Sequence, residues 1–223
     1  MLLHELDDPR LGGRGVILFS GGADSTLLAR ALDRRGRDLI ALSIDYPGRP
    51  DVERDRAEGL SRRLGMEPVR LGLDFAWPAI QGAIGAQDEG WFPHRNIMFL
   101  GLALHVAEVK KADFITAGYA KTDGIFFSDA TPEFLGRFVE LAKLSSGRTA
   151  LTHEIDLLMP FLDKDAFYWN ERERDPDLTQ LIAESWSCWR NEAEPCGTCA
   201  ACRERAYCFG AEPPPGLVVT RKG

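Results

Sequence analysis

The sequence predicts an α/β fold: a doubly wound, mostly parallel five-stranded sheet with helices on both faces, followed by a C-terminal metal-binding segment. Three observations carry this expectation. Short apolar runs alternate with amphipathic helical stretches, which is the pattern of successive βαβ units. The first run ends in a Ser-Gly-Gly turn that leads straight into a helix. All the cysteines, at 188, 196, 199, 202 and 208, sit near one end of the chain.

The elements follow in order. Gly15 to Ser20 (G-V-I-L-F-S) is a continuous apolar run closed by a small-residue turn, as expected of a buried parallel strand. Asp24 to Arg35 places Leu27, Leu28, Ala31 and Leu32 on one helical face, and Gly36 stops it. Leu39 to Ile44 is the second strand, and Asp51 to Leu64 is a helix capped by Gly65. Pro68 to Leu71 is a short third strand, and Asn96 to Lys110 is a buried helix. Asp113 to Ala117 is the fourth strand, Pro132 to Leu144 a helix, and Ile155 to Met159 the fifth strand. Ala166 to Asp177 is heavily charged and reads as a solvated helix or linker, and Pro213-Pro214-Pro215 as a peripheral tail. The expected division is an α/β domain over 1–185 with a cysteine segment and tail over 186–223 packed on it.

Composition narrows the function classes. The chain has 223 residues, 44% hydrophobic and 27% charged, which suits one globular domain and a small appendage. Lys plus Arg is 27 and Asp plus Glu 34, so the net charge of −7 disfavours a nucleic-acid partner. The longest apolar stretch, Ile97 to Ala107, is 11 residues, too short for a membrane span. The first residues lack a basic region followed by an apolar core, so the expected location is the cytoplasm.

Two places carry chemistry. In Ser20-Gly21-Gly22-Ala23-Asp24-Ser25-Thr26, the paired glycines permit a tight turn and close approach to a ligand. The helix start at Ser25 and Thr26 favours an anion through its free N–H groups and dipole. The loop lacks the Gly-Lys-Ser/Thr of a Walker A motif and the spacing of a dinucleotide fingerprint. A plain turn with an aspartate cap is the competing interpretation. The second place is Cys188-x7-Cys196-x2-Cys199-x2-Cys202, whose four thiolates suit one tetrahedral structural zinc. An iron–sulfur cluster or a redox role would use the same thiolates. Cys208 is left over as a buried or free thiol.

The Ser-Gly-Gly-x-Asp-Ser loop after a buried first strand resembles the signature of the ATP-pyrophosphatase (PP-loop) superfamily, whose fold is adenine nucleotide alpha hydrolase-like. The resemblance implies ATP with Mg²⁺. Ser20, Ser25 and the amides of Gly21, Gly22, Ala23 and Thr26 would hold the pyrophosphate, and Asp24 the metal-bound polyphosphate. Asp45, ending the second strand, is placed near the same crevice or in the turn before Pro47-Gly48.

The loop and the cysteine spacing together resemble the 7-cyano-7-deazaguanine synthases, over roughly Val16 to Ala206. Ile44-Asp45-Tyr46 is similar to that family's Phe-Asp-Tyr, and Phe92-Pro93-His94-Arg95-Asn96 to its Val-Pro-Gly-Arg-Asn. Asp123, Ser128-Asp129 and Pro132-Glu133-Phe134 are similar to its Asp, Tyr-Pro-Asp and Pro-Glu-Phe. Met159 to Lys164 and Trp186-Ser187-Cys188-Trp189 match two further motifs. The chain departs from the pattern at His94, Pro47 to Pro50 and Gly124 to Thr131, where Phe126-Phe127 and Ala130-Thr131 replace Gly-Tyr and Cys-Arg.

The resemblance implies adenylation of 7-carboxy-7-deazaguanine and reaction with ammonia to give the nitrile. Asp24, Arg95 and Lys164 would neutralise charge, and Arg95, Asn96, Asp123, Phe127 and Asp129 would contact the substrate. Helix capping near Pro132 is the competing role for Asp123 and Asp129, surface pairing for Arg95 and Lys164, and core packing for Phe127. The divergent loop leaves open a ligase that joins the activated carboxylate to another amine or a protein. A PP-loop tRNA-modifying enzyme would share the fold, but the acidic charge argues against it. A non-catalytic nucleotide-binding module would share it too, and the intact Ser-Gly-Gly-x-Asp-Ser argues against that. The family's members are often dimers, which admits a homodimer.

Overall fold

The computed structural model describes residues 1–46, 48–73, 94–121, 123–145, 155–162, 175–190 and 192–208. The elements are β1 (Leu2–Leu3), β2 (Arg14–Leu18), α1 (Ala23–Asp33), β3 (Asp38–Asp45), α2 (Asp51–Arg63), β4 (Glu67–Gly72) and α3 (Arg95–Lys110). They continue with β5 (Phe114–Thr116), α4 (Asp123–Phe126), a 3-10 turn (Ser128–Ala130), α5 (Pro132–Ser145), β6 (Asp156–Leu158), α6 (Pro176–Glu184) and α7 (Ala200–Cys208).

The strands form one sheet in the order β1-β6-β5-β2-β3-β4, and every ladder is parallel. The expected count of five becomes six. The addition is β1, which pairs Leu2 with Leu157 and Leu3 with Leu158. Two residues are too short to show any period, so only their partner strand makes them a strand.

Side chains alternate across the sheet as the pleat requires. Ile17, Leu39, Ala41 and Phe114 face a core shared with α1, α2 and α6. Val16, Ile40, Leu42 and Ile115 face a second core shared with α3 and α5. Burial on both faces explains why the inner strands β2, β3 and β5 read as apolar runs, whereas the edge strand β4 alternates half-buried and exposed residues. Leu27, Leu28 and Leu32 of α1 are fully buried, and each contributes about 1.5–3 kcal/mol.

The charged stretch over 166–177, expected as a solvated helix or linker, lies largely outside the described residues, but its end is visible as a helix start. Asp175 accepts the Asp177 amide at 3.1 Å, and Pro176 occupies the first helical position of α6. Asp175 also pairs with Arg30 of α1 at 2.5 Å, tying the two helices together. No helix among the described residues is long and apolar enough to cross a membrane.

Candidate functional site

Strand order reverses at β2, with β3 and β4 to one side and β5 and β6 to the other. Crevices at the carboxyl ends of strands at such a switch point are where α/β sheets bind ligands. A cavity of about 720 Å³ opens there, bounded by Leu18 at the end of β2, Ile44 of β3 and Ala117 after β5.

The loop from Ser20 to Thr26 forms one wall. Ser20 Oγ accepts the Gly22 amide at 3.1 Å and lies 3.2 Å from Ser25 Oγ, which itself contacts the Gly22 carbonyl at 3.2 Å. Gly21 has φ +81°, and a Cβ there would stand 2.5 Å from the Ala57 backbone nitrogen of α2. Only glycine lets the loop lie against that helix. Gly118 is constrained less severely, since a Cβ there would stand 3.0 Å from the Asp24 Cβ. These approaches set the first turn of α1 at the cavity edge, where its N–H groups and dipole favour an anion. Ser20, Gly22, Asp24 and Ser25 line the cavity, whereas Thr26 lies wholly buried beneath.

A buried arginine that sequence reasoning passed over sits behind this wall. The Arg49 side chain is 2% exposed. It donates to the Ser20 carbonyl at 2.8 Å, the Ser43 hydroxyl at 2.8 Å, the Ile44 carbonyl at 3.0 Å and Glu53 at 2.9 Å. Burial pushes the Glu53 carboxyl above its ordinary range, and the Arg49 guanidinium opposes that shift. Asp45 is engaged by Arg49, Arg54 and Arg70. Its carboxylate organises the edge of the sheet beside the cavity wall.

The opposite wall comes from α3, the chain after β5 and α4. Arg95 lies over the Phe127 ring, 5.9 Å from its centroid. Arg95, Asn96, Asp123 and Phe127 all line the cavity. Burial pushes the Asp123 carboxyl above its ordinary range, while the Ala120 amide, at 2.8 Å, and Arg95 pull it down. Asp129 is placed differently. It accepts the Asn96 backbone amide at 3.2 Å and the Asn96 side-chain amide at 3.2 Å, so it caps the start of α3. His94 occupies the N-cap position of α3, exposed and left-handed at φ 61°. Lys164, Phe92 and Pro93 lie outside the described residues.

The cysteines assemble as their spacing suggests. The sulfurs of Cys188, Cys196, Cys199 and Cys202 all lie within 4.8 Å of one another, a group that could hold a metal ion. A tetrahedral ion with sulfurs at about 2.3 Å spaces them by about 3.8 Å. Backbone amides of Arg190 and Cys196 each reach Cys188 Sγ at 3.4 Å, the Cys199 amide reaches Cys196 Sγ at 3.4 Å, and the Cys202 amide reaches Cys199 Sγ at 3.4 Å. Such donors orient thiolates toward a shared ion. The hydroxyl and amide of Thr198 pull the Cys196 thiol down to about 6, and burial pushes Cys202 up to about 12. The cluster is also joined to the loop, because the Trp186 amide donates to the Gly21 carbonyl at 2.9 Å. Trp186, Ser187 and Trp189 line the cavity mouth. In the sequence they stood out only as part of a motif around Cys188.

Comparison with known proteins agrees with this architecture. Residues 14–212 match the family model described as queuosine biosynthesis protein QueC. The 7-cyano-7-deazaguanine synthase of Microcystis aeruginosa (strain NIES-843 / IAM M-2473) is 33% identical over 206 residues, covering 86% of this chain and 89% of that protein. The 7-cyano-7-deazaguanine synthase of Gloeothece citriformis (strain PCC 7424) is 34% identical, with the same coverage of 86% and 89%. Among solved structures, NMN synthetase from Francisella tularensis shares the fold, with a TM-score of 0.50 and 11% identity over 93% of this chain and 81% of that one. With most of its length matched by the family model, the chain belongs to the QueC family of queuosine biosynthesis proteins.

Proposed function

We propose that the chain is a 7-cyano-7-deazaguanine synthase that activates 7-carboxy-7-deazaguanine with ATP and converts it, with ammonia, to the nitrile. The observation that carries this reading is the two-sided cavity. An anion-favouring helix start faces a wall bearing Arg95, Asp123 and Phe127. The loop side suits a polyphosphate, and the opposite side suits a planar heterocycle with N–H groups and a carboxylate.

A carboxylate resists nucleophiles because it is already negative. Attack of its oxygen on the α-phosphorus of ATP releases pyrophosphate and makes an acyl adenylate with a good leaving group. Ammonia then displaces AMP to give the amide. A second adenylation, on the amide oxygen, followed by loss of AMP and protons gives the nitrile. The protein's contribution is position and charge. Ser20, Ser25 and the loop amides take the leaving pyrophosphate. Asp24 would help hold the Mg²⁺ that neutralises the polyphosphate. Arg95 balances the substrate carboxylate, Asp123 accepts from the heterocycle N–H edge, and Phe127 covers its face. Lys164 supplies a further positive charge.

The four-cysteine group fits zinc, since its donors are all thiolates held by backbone amides. Bound zinc would brace the segment over 186–208, with no open position for catalysis. Measuring AMP and pyrophosphate release with and without 7-carboxy-7-deazaguanine tests the reading. Release that depends on the carboxylate supports it, and ATP use indifferent to the carboxylate contradicts it.

A further inference from the structure

The Tyr119 hydroxyl is bonded to none of the described residues. The residue follows Gly118 on the chain leaving β5, its ring packs against the α3 side of the core, and it lines the cavity. Its Oη is shielded from solvent and has no hydrogen-bond partner among the described residues. A buried hydroxyl in that state has given up its bonds to water for nothing, so phenylalanine would serve the fold better. Such a group in a native fold calls for an explanation, such as a catalytic role or a bound water or ion.

The surroundings say what kind of ligand group it meets. Burial holds the phenol neutral far above its ordinary range, with Asp123 and Asp129 adding to the effect and Arg95 opposing it. At neutral pH the Oη therefore has a proton to donate. Arg95, Asp123 and Phe127 stand on the same wall, whereas the anion-favouring loop forms the other.

We propose that Tyr119 Oη donates a hydrogen bond to an acceptor oxygen of the planar heterocyclic acid bound against Arg95 and Phe127, making Tyr119 a specificity-determining residue. The proposal rests on the synthase reading above. A donor at this point favours acids with an acceptor oxygen there and penalises those that present an N–H, because two donors would then face each other.

The test is Tyr119→Phe, read three ways: Kd and KM for 7-carboxy-7-deazaguanine, KM for ATP, and the melting temperature of the ligand-free protein. The expected result is a carboxylate Kd and KM raised about tenfold, the range for one lost hydrogen bond. The ATP KM stays within about twofold, and the ligand-free protein melts no lower than wild type. An unchanged carboxylate Kd overturns the proposal. So does a lower melting temperature, which would mean that the hydroxyl serves the fold. A raised ATP KM with unchanged carboxylate affinity overturns it too, by giving the hydroxyl to the nucleotide. Failure of the wild-type protein to bind or turn over the carboxylate is a distinct result. It refutes the synthase reading and this assignment with it, whereas wild-type turnover beside an unaltered variant refutes the assignment alone.

Discussion

The Trp186 amide donates to the Gly21 carbonyl at 2.9 Å, so the chain entering the cysteine cluster is bonded to the anion-favouring loop. The next residue repeats the contact, with Ser187 Oγ accepting the Ala23 amide at 3.4 Å. The residue after that is Cys188, and the Trp186 indole donates to its carbonyl at 2.9 Å. Displacement of Cys188 is thereby transmitted to Gly21. Chelating the metal should raise the ATP KM about tenfold or more, because small misplacements of a positioned group are costly. Far-UV circular dichroism should show the sheet still folded at that point. A chelated protein with its ATP KM unchanged would show that the two sites are independent.

Metal content should follow the sulfur geometry. Elemental analysis should find one zinc per chain, lost in Cys188→Ser, Cys196→Ser, Cys199→Ser or Cys202→Ser. Cys208→Ser, outside the Cys-x7-Cys-x2-Cys-x2-Cys spacing, should keep it. Because structural zinc contributes directly to folding, the first four variants should also be poorly soluble. Purified protein holding iron instead of zinc would change the identity of the centre, and protein holding neither would remove it.

The Arg30–Asp175 pair gives a pH signature. Burial raises the Asp175 carboxyl, but the Arg30 hydrogen bond and charge outweigh it and hold the group below its ordinary value of 3.8. A depressed folded value means stability that is present above the unfolded value and lost as pH falls through the folded one. Asp175→Ala, which breaks the pair and the α6 cap, should cost about 3 kcal/mol near neutral pH, or roughly 10 °C in melting temperature. The gap between wild type and Asp175→Asn should be full above about pH 4 and shrink below it. A gap independent of pH would mean that charge plays no part.

Asp129 distinguishes capping from substrate contact. Its bonds to Asn96 lead to the expectation that Asp129→Ala loses about 1 kcal/mol of stability, roughly 3 °C, with carboxylate affinity within about twofold. Tenfold weaker carboxylate binding at an unchanged melting temperature would return Asp129 to the substrate pocket.

The residues differ in how far the sequence disclosed them, for physical reasons. Strands β2 to β6 are buried on both faces or flanked by clear helices, so apolar runs and punctuation reveal them. The pair Leu2–Leu3 becomes a strand only because β6 is present beside it. The Ser20–Thr26 loop and the four cysteines are local constellations, so spacing alone brings each together. Arg49 lacks such a local signal, because the Ser20 carbonyl that it holds is 29 positions away. Asp45 stands at the expected strand end, yet its arginine partners come from a loop, a helix and a neighbouring strand that no period connects. For Asp129 the sequence offered a substrate contact or a cap on the helix near Pro132, whereas its bonds go to Asn96 at the distant start of α3. The start of α6 fell inside a charged stretch that reads as a solvated helix or linker, although Asp175-Pro176 is a cap followed by a first-turn proline.

The most direct test combines product analysis with nucleotide accounting. Purified protein is incubated with ATP, Mg²⁺, 7-carboxy-7-deazaguanine and ammonia, and the products are resolved by mass spectrometry. The expected outcome is 7-cyano-7-deazaguanine, with two AMP and two pyrophosphate formed per nitrile and neither formed without the carboxylate. Asp24→Ala should abolish turnover while the protein stays folded. A deazaguanine adduct on another amine, or AMP release that ignores the carboxylate, would contradict the proposed synthase activity.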